Sequence, residues 1–214
     1  MTTTTNRNSL LWQLRQLVPE RPLNVGEGYR IAELQANRLL RWGGIDRPGT
    51  PGELIGGLPY VEVVLHPAHP ESGYLKWFKP RWLLVLNPHE PRVRQRFSLM
   101  HEFKHLLDHP FKDFLYPSTY FCDGALRRER VADYFAACVL MPKRLVKRCW
   151  GERMQNLAAL AAEFDVSQDA MHRRLQDLGL VERLPRCVYP TASSRPTNPT
   201  EYFRRKTAVL AEAA

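Results

Sequence analysis

Apolar residues recur along most of the chain at the spacing that is typical of amphipathic helices. This spacing predicts a helix that starts near Leu10 and stops before Pro19, and a second helix from Tyr29 to Trp42 that Gly43 ends. Later apolar stripes predict four further helices, at about residues 92–109, 127–141, 157–164 and 168–178.

Three short runs between the second and third of these helices are rich in aromatic and β-branched residues and predict strands. They extend from Tyr60 to Leu65, from Tyr74 to Phe78 and from Trp82 to Leu86. Because short connections favour hairpins over parallel crossovers, we expect a small antiparallel sheet. The fold class predicted from the pattern is therefore α+β.

Length and composition predict a folded chain with several parts. The chain has 214 residues, and its 44% hydrophobic content excludes a wholly disordered protein. Interruptions of the periodic pattern predict an N-terminal segment with a helix over residues 1–28, a main domain over 29–153 and a helical subdomain over 154–184. The remainder, residues 185–214, is rich in Pro, Ser and Thr and is predicted to be a flexible tail.

Charge and cysteine content indicate which partners and which cellular compartment to expect. The net charge of +9 is compatible with nucleic acid or an acidic protein as partner, and equally with a solubilising surface. The four cysteines form no CxxC pair and the N-terminus has no secretory signal, so we expect reduced thiols in the cytoplasm. The apolar runs are too short to span a bilayer, so no membrane contact is expected.

The segment FSLMHEFKHLL carries the strongest chemical signal. Four residues advance a helix by about 400°, so His101 and His105 lie on one face and can bind one metal ion. Glu102 points about 100° away and can reach a water molecule on that ion. This HExxH spacing predicts a catalytic Zn²⁺ with Glu102 as general base, because the ion lowers the pKa of bound water to about 7.

A third protein ligand has to come from another segment. The extended motif, in which a Gly and a His follow the second histidine, is absent, because Asp108 and Phe111 occupy those two positions. In RRERVADYFAACVLMP, Glu129 and Asp133 share a helix face, so Glu129 can bind the metal while Asp133 accepts the spare ring N–H of a ligand histidine. An alternative remains open, in which Glu129 pairs with a neighbouring arginine on a solvated face.

The last two predicted helices have the proportions of a helix-turn-helix pair. The second of them exposes residue types that contact base edges or phosphates, and the candidates for DNA contact are Gln168, His172, Arg173 and Gln176. The alternative is a helical pair that only supports the main domain.

Three motifs together, RQRFSLMHEFKHLL, ERVADYFAACVLMP and LAAEFDVSQDAMHRRLQDLGL, resemble the ImmA/IrrE family of metallo-endopeptidases over roughly residues 29–180. The resemblance implies a zincin-like fold, one Zn²⁺ held by His101, His105 and Glu129, and Glu102 as the base. It further implies that the substrate is a DNA-binding repressor, which is cut to derepress genes under stress. Two positions depart from the family pattern, Lys104 where Gly is common and Asp133 where Asn is common. Lys104 is expected to place a cation near the active helix and to alter substrate fit.

Three functional hypotheses follow. The first is a zinc endopeptidase whose substrate adds as a strand to the predicted sheet edge at Trp82 to Leu86. The second is a helix-turn-helix transcriptional regulator with a structural or sensing zinc site. The third is a pseudo-enzyme that keeps the zinc only as a structural or sensing site, with Cys122 as the candidate fourth ligand, or that acts as a partner in an antitoxin-like pair. Glu102 argues against it, since a structural site needs no base. The remaining histidines, including His66 and His69, are interpreted as surface or turn residues.

Overall fold

A computed structural model describes residues 9–67, 71–118 and 123–182. Eight α-helices and three strands are found within these ranges. In chain order they are α1 (Leu10–Arg15), α2 (Val25–Trp42), α3 (Glu53–Gly56), β1 (Val61–Leu65), β2 (Gly73–Phe78), β3 (Arg81–Leu86), α4 (Arg92–Asp108), α5 (Gly124–Leu140), α6 (Lys143–Gly151), α7 (Leu157–Glu163) and α8 (Gln168–Asp177). A single 3₁₀ turn, His109–Phe111, follows α4 directly.

Capping side chains explain why two helices start earlier than predicted. The side chain of Asn24 accepts a hydrogen bond from the Glu27 N–H, and the Glu27 carboxylate accepts one from the Asn24 N–H, so α2 begins before Tyr29. The side chain of Asp123 accepts a hydrogen bond from the Ala125 N–H at the start of α5. These caps satisfy backbone donors that the apolar pattern does not reveal.

The sheet is mixed, so the predicted antiparallel arrangement is wrong. The strand order is β1-β3-β2, with β1 parallel to β3 and β2 antiparallel to β3. The first strand pairs with the third strand and not with the next one along the chain. The prediction that β3 forms the sheet edge is also wrong: consecutive residues Leu84, Val85 and Leu86 are all buried, as is typical of a strand covered on both faces.

The core lies between the sheet and helices α2, α4 and α5, and α4 contributes side chains to it from several directions. Buried residues of α4 include Met100, Phe103 and Leu106. Gly28 allows a close approach of α2 to α5, since a Cβ atom at this position would lie 2.9 Å from the Val131 side chain. The small residues Ala132 and Ala136 of α5 are fully buried.

Two buried arginines attach α7 and α8 to the rest of the fold. Arg96 of α4 donates hydrogen bonds to the carbonyls of Asp165, in the turn between α7 and α8, and of Thr50 at 2.7 Å. Its guanidinium also lies 2.8 Å from the Asp165 carboxylate. Arg174 of α8 donates to the carbonyl of Met141, at the end of α5, at 3.0 Å. The helical pair is thereby connected to both helices that carry the predicted metal ligands.

Several predictions fall on residues that the structure does not describe. Cys122, His69 and the tail over 185–214 lie outside the described residues. The elements above belong to one compact unit that ends at Val181, and the finer division at residues 28, 153 and 184 stays a prediction. None of the helices in the described part of the chain is long and apolar enough to cross a membrane.

Candidate metal centre

Helix α4 brings the two histidines of the HExxH motif together. The Nε2 atoms of His101 and His105 lie 3.0 Å apart, and the ring centroids are 4.7 Å apart. Both rings are partly buried. The spacing of four residues therefore produces the shared face that the sequence predicts.

Helix α5 places Glu129 opposite the two rings. Its carboxylate oxygens lie 3.1 Å from Nε2 of His101 and 3.4 Å from Nε2 of His105. One ligand atom from each residue lies within 4.8 Å of the others, and 53% of the Glu129 side chain is exposed. A tetrahedral site with metal–nitrogen bonds of about 2.0–2.1 Å has ligand atoms about 3.3–3.4 Å apart. The three residues thus fit a metal ion, and Glu129 faces the histidines.

Asp133 lies one turn after Glu129 and contacts the other side of the first histidine. The Nδ1–H of His101 donates to the Asp133 carboxylate at 2.9 Å, which leaves Nε2 free to bind a metal. Burial alone lowers the pKa of His101, but the hydrogen bond and charge of Asp133, together with Glu102 and Glu129, raise it overall. For His105, burial and the neighbouring His101 lower the pKa. Asp133 therefore lies where it can orient His101, and its role in metal binding stays a prediction.

Glu102 is half-buried in the same cavity, beside the first residue of β2. A Cβ atom at Gly73 would lie 3.5 Å from the Glu102 side chain, so the strand and the carboxylate are in close proximity. Burial raises the pKa of Glu102, the nearby Glu129 and Glu71 raise it further, and His101 lowers it.

The cavity has a volume of about 750 Å³ and is bordered by β2, α4 and α5. β2 is an outer strand of the sheet, whose pairing within the described residues is with β3. The strand edge available beside the metal ligands is therefore that of β2. Besides the three ligands, the lining includes Gly73, Leu75, Glu102, His109, Lys112 and Arg128.

Lys104 points away from the cavity, so its predicted effect on substrate fit is wrong. Only 1% of its side chain is exposed, and its Nζ lies 2.5 Å from Asp108 Oδ1. Nζ also donates to the side-chain oxygen of Gln35 on α2 at 2.9 Å. Lys104 precedes His105 by one position, which corresponds to about 100° of rotation around the helix axis. Its side chain therefore points towards α2 and not towards the metal-binding face.

The residues predicted to contact DNA lie on one surface of α8, away from its packed face. Within this set Gln168 and Arg173 are exposed, while His172 and Gln176 are half-buried. The opposite side of α8 is buried and consists of Met171, Arg174 and Leu175. These four candidates do not line the metal cavity.

His109 is an exposed residue of the 3₁₀ turn, as predicted, but its position at the metal cavity was not predicted. Its ring lines the metal cavity and packs edge-on against Trp82, with centroids 4.6 Å apart. A usable signal was present: His109 follows His105 by four residues, the same spacing that identified the ligand pair.

Comparisons with known proteins agree with this site. The family described as IrrE N-terminal-like domain (Peptidase_M78) matches residues 60–176. No curated protein matches the chain. A solved structure described as a Mycobacterium tuberculosis transcriptional regulator has a similar fold, with a TM-score of 0.55 and 17% identity, covering 78% of this chain. This chain spans about half the length of that protein, at 51%. Because the family match includes both helices of the site, the chain belongs to the IrrE N-terminal-like family of ImmA/IrrE metallopeptidases, which are hydrolases.

Proposed function

We propose that the protein is a zincin-like endopeptidase, in which His101, His105 and Glu129 hold one Zn²⁺ and Glu102 is the general base. The observation that carries this proposal is the convergence of three ligand atoms within 4.8 Å, with Glu102 beside them in one cavity. Membership of a metallopeptidase family supports the same chemistry.

The described residues provide the parts of a hydrolytic mechanism. A bound Zn²⁺ would polarise the scissile carbonyl and lower the pKa of an attacking water. The Glu102 carboxylate accepts the proton of that water and returns it to the leaving amine. Asp133 holds the Nδ1 proton of His101 and so keeps Nε2 directed at the metal.

An extended peptide fits best along the outer edge of β2. This strand begins beside Glu102, and a substrate strand paired with it would bring a backbone carbonyl into the cavity. The resemblance to repressor-cleaving relatives suggests that the peptide belongs to a DNA-binding repressor. A segment can pair with β2 only when its own backbone is extended and not already paired. A flexible segment of the repressor is therefore the expected site of cleavage.

The test compares metal content and proteolysis in matched variants. Zinc per chain is measured by elemental analysis in wild type, His101→Ala, Glu129→Ala and Glu102→Gln, with circular dichroism as the check on folding. The ligand variants are expected to lose zinc, whereas Glu102→Gln keeps zinc and loses proteolysis. His172→Ala and Glu62→Gln remove the same side-chain types away from the cavity and serve as controls. A proteolytically active Gln variant would contradict the role of Glu102.

A second candidate function is DNA binding through α8. The exposed Gln168 and Arg173, with the half-buried His172 and Gln176, support it. The similar solved structure is described as a transcriptional regulator, although at 17% identity it informs only on the fold. Binding to duplex DNA should weaken steeply with salt and decrease in Arg173→Ala. Absence of binding at low salt would remove this candidate.

A further inference from the structure

We infer that the cleft extends into an aromatic shelf, formed by Trp77, Trp82 and His109, that binds an aromatic or large aliphatic side chain of the peptide substrate. The bound side chain belongs to the residue four positions from the scissile bond. This inference rests on the proposed endopeptidase function and adds a specificity determinant to it.

Three rings of the shelf pack in sequence against one another. Trp77 of β2 and Trp82 of β3 are directly paired in the sheet register, with ring centroids 5.0 Å apart. Trp82 in turn packs on His109, just after α4, with centroids 4.6 Å apart. The rings therefore form a surface that extends from the strands to the end of the catalytic helix.

The shelf continues the metal cavity and does not form a separate site. His109 lines the cavity together with Leu75, and Leu75 lies between Gly73 and Trp77 on the same face of β2, because side chains alternate along a strand. Gly73 is the residue next to Glu102. An extended substrate that follows β2 from Glu102 therefore reaches the shelf after about 14 Å, the length of four strand residues.

Exposure and charge indicate what the shelf binds. Trp77 is 46% exposed although its ring packs against that of Trp82, so apolar surface is available for a ligand. Aromatic faces also attract cations, but Lys112 follows His109 within the same helical turn, and its charge at the shelf disfavours a basic side chain. An apolar side chain that covers Trp77 is therefore the occupant that the shelf fits.

Cleavage-site profiling tests the shelf directly. Zinc-loaded protein is incubated with a peptide library made from total cell protein with a lysine-specific protease, and the cleaved bonds are identified by mass spectrometry. Wild type should enrich aromatic or large aliphatic residues four positions from the bond, on one side of it. The expected enrichment is about 2- to 12-fold, the range that an aromatic pair contributes.

Two variants of Trp77 and one control make the result specific. Trp77→Ala should cleave peptides without the enrichment, and Trp77→Glu should shift the preference at the same position to Arg, the basic residue that remains inside the library peptides. Phe78→Ala is the control, since Phe78 is 63% exposed and projects from the opposite face of β2. This control should keep the wild-type profile.

The outcomes separate the shelf from the peptidase function. Cleavage without a preference at the fourth position, a preference for basic residues in wild type, or an enrichment that persists in Trp77→Ala would each overturn the shelf and leave the peptidase intact. No cleavage of any peptide by zinc-loaded wild type would overturn the proposed function and the shelf together.

Discussion

Replacing Lys104 by Met should destabilise the fold strongly, although the residue does not line the metal cavity. The side chains of Lys104 and Asp108 are 1% and 4% exposed and 2.5 Å apart. Removing one partner leaves the other charge uncompensated, which costs about 3–5 kcal/mol for buried pairs. We expect a loss of about 3 kcal/mol, because Met fills the volume of Lys and Tyr116 continues to donate to Asp108 at 3.4 Å.

The free energy of unfolding is measured by urea denaturation with EDTA present, so that metal binding contributes nothing. For a chain of this size the predicted loss corresponds to a decrease in melting temperature of about 6–12 °C. Lys147→Met, at an exposed position of α6, is the matched control and should change stability by no more than about 0.5 kcal/mol.

A double substitution separates the ion pair from packing effects. Lys104→Met combined with Asp108→Leu removes both charges, so the double variant should be more stable than Lys104→Met alone. A single variant within about 1 kcal/mol of wild type, or a double variant with no recovery, would refute the view that Asp108 depends on Lys104.

Three further predictions concern helix α5 and Tyr116, which precedes it in the chain. Asp133→Ala should weaken metal binding by about 10- to 100-fold, because His101 loses the acceptor that orients it, and competition with a chelating dye measures this. Cys138 should resist iodoacetamide at pH 8 until the protein is unfolded, because burial raises its pKa to about 11; mass spectrometry detects the modification. Tyr116→Phe should lose less stability than wild type between about pH 9 and 11. Burial and Asp108 raise the pKa of Tyr116, so the stability from its neutral form is complete below the pKa of an unfolded tyrosine and is lost as the pH rises.

Local periodicity was sufficient to predict the shared face of the two candidate histidine ligands but not the sheet topology. His101 and His105 share a face because of helix geometry alone, which the sequence reports directly. The position of β3 in the middle of the sheet depends on which strands pair after β1 has formed. No short-range sequence pattern determines that pairing. The unbroken apolar run from Leu84 to Leu86 was a sequence signal for a central strand, and these residues are all buried. An edge strand with one solvated face would show alternating apolar and polar residues.

The direction of single side chains around α4 was harder to predict than their helical state. A lysine beside a ligand histidine suggests a cation at the active site, yet a rotation of about 100° per residue places Lys104 between α4 and α2. Burial of a lysine depends on partners from distant segments, here Gln35 and Asp108. Its location therefore follows from tertiary packing, which composition and spacing do not report.

After its first turn, helix α4 has no side that faces solvent and could change sequence freely. From Gln95 to Asp108 none of its residues is exposed: one side faces the metal cavity, another holds the carbonyls of the α7–α8 turn through Arg96, and a third makes the buried contact of Lys104 with α2. An ordinary surface helix can exchange its outward residues freely while keeping its core. In this helix, a saturation library should yield almost no neutral substitutions over these positions. Variants that acquire new substrates should instead carry their changes on β2, where the partly buried side chains of Tyr74 and Leu75 border the cleft.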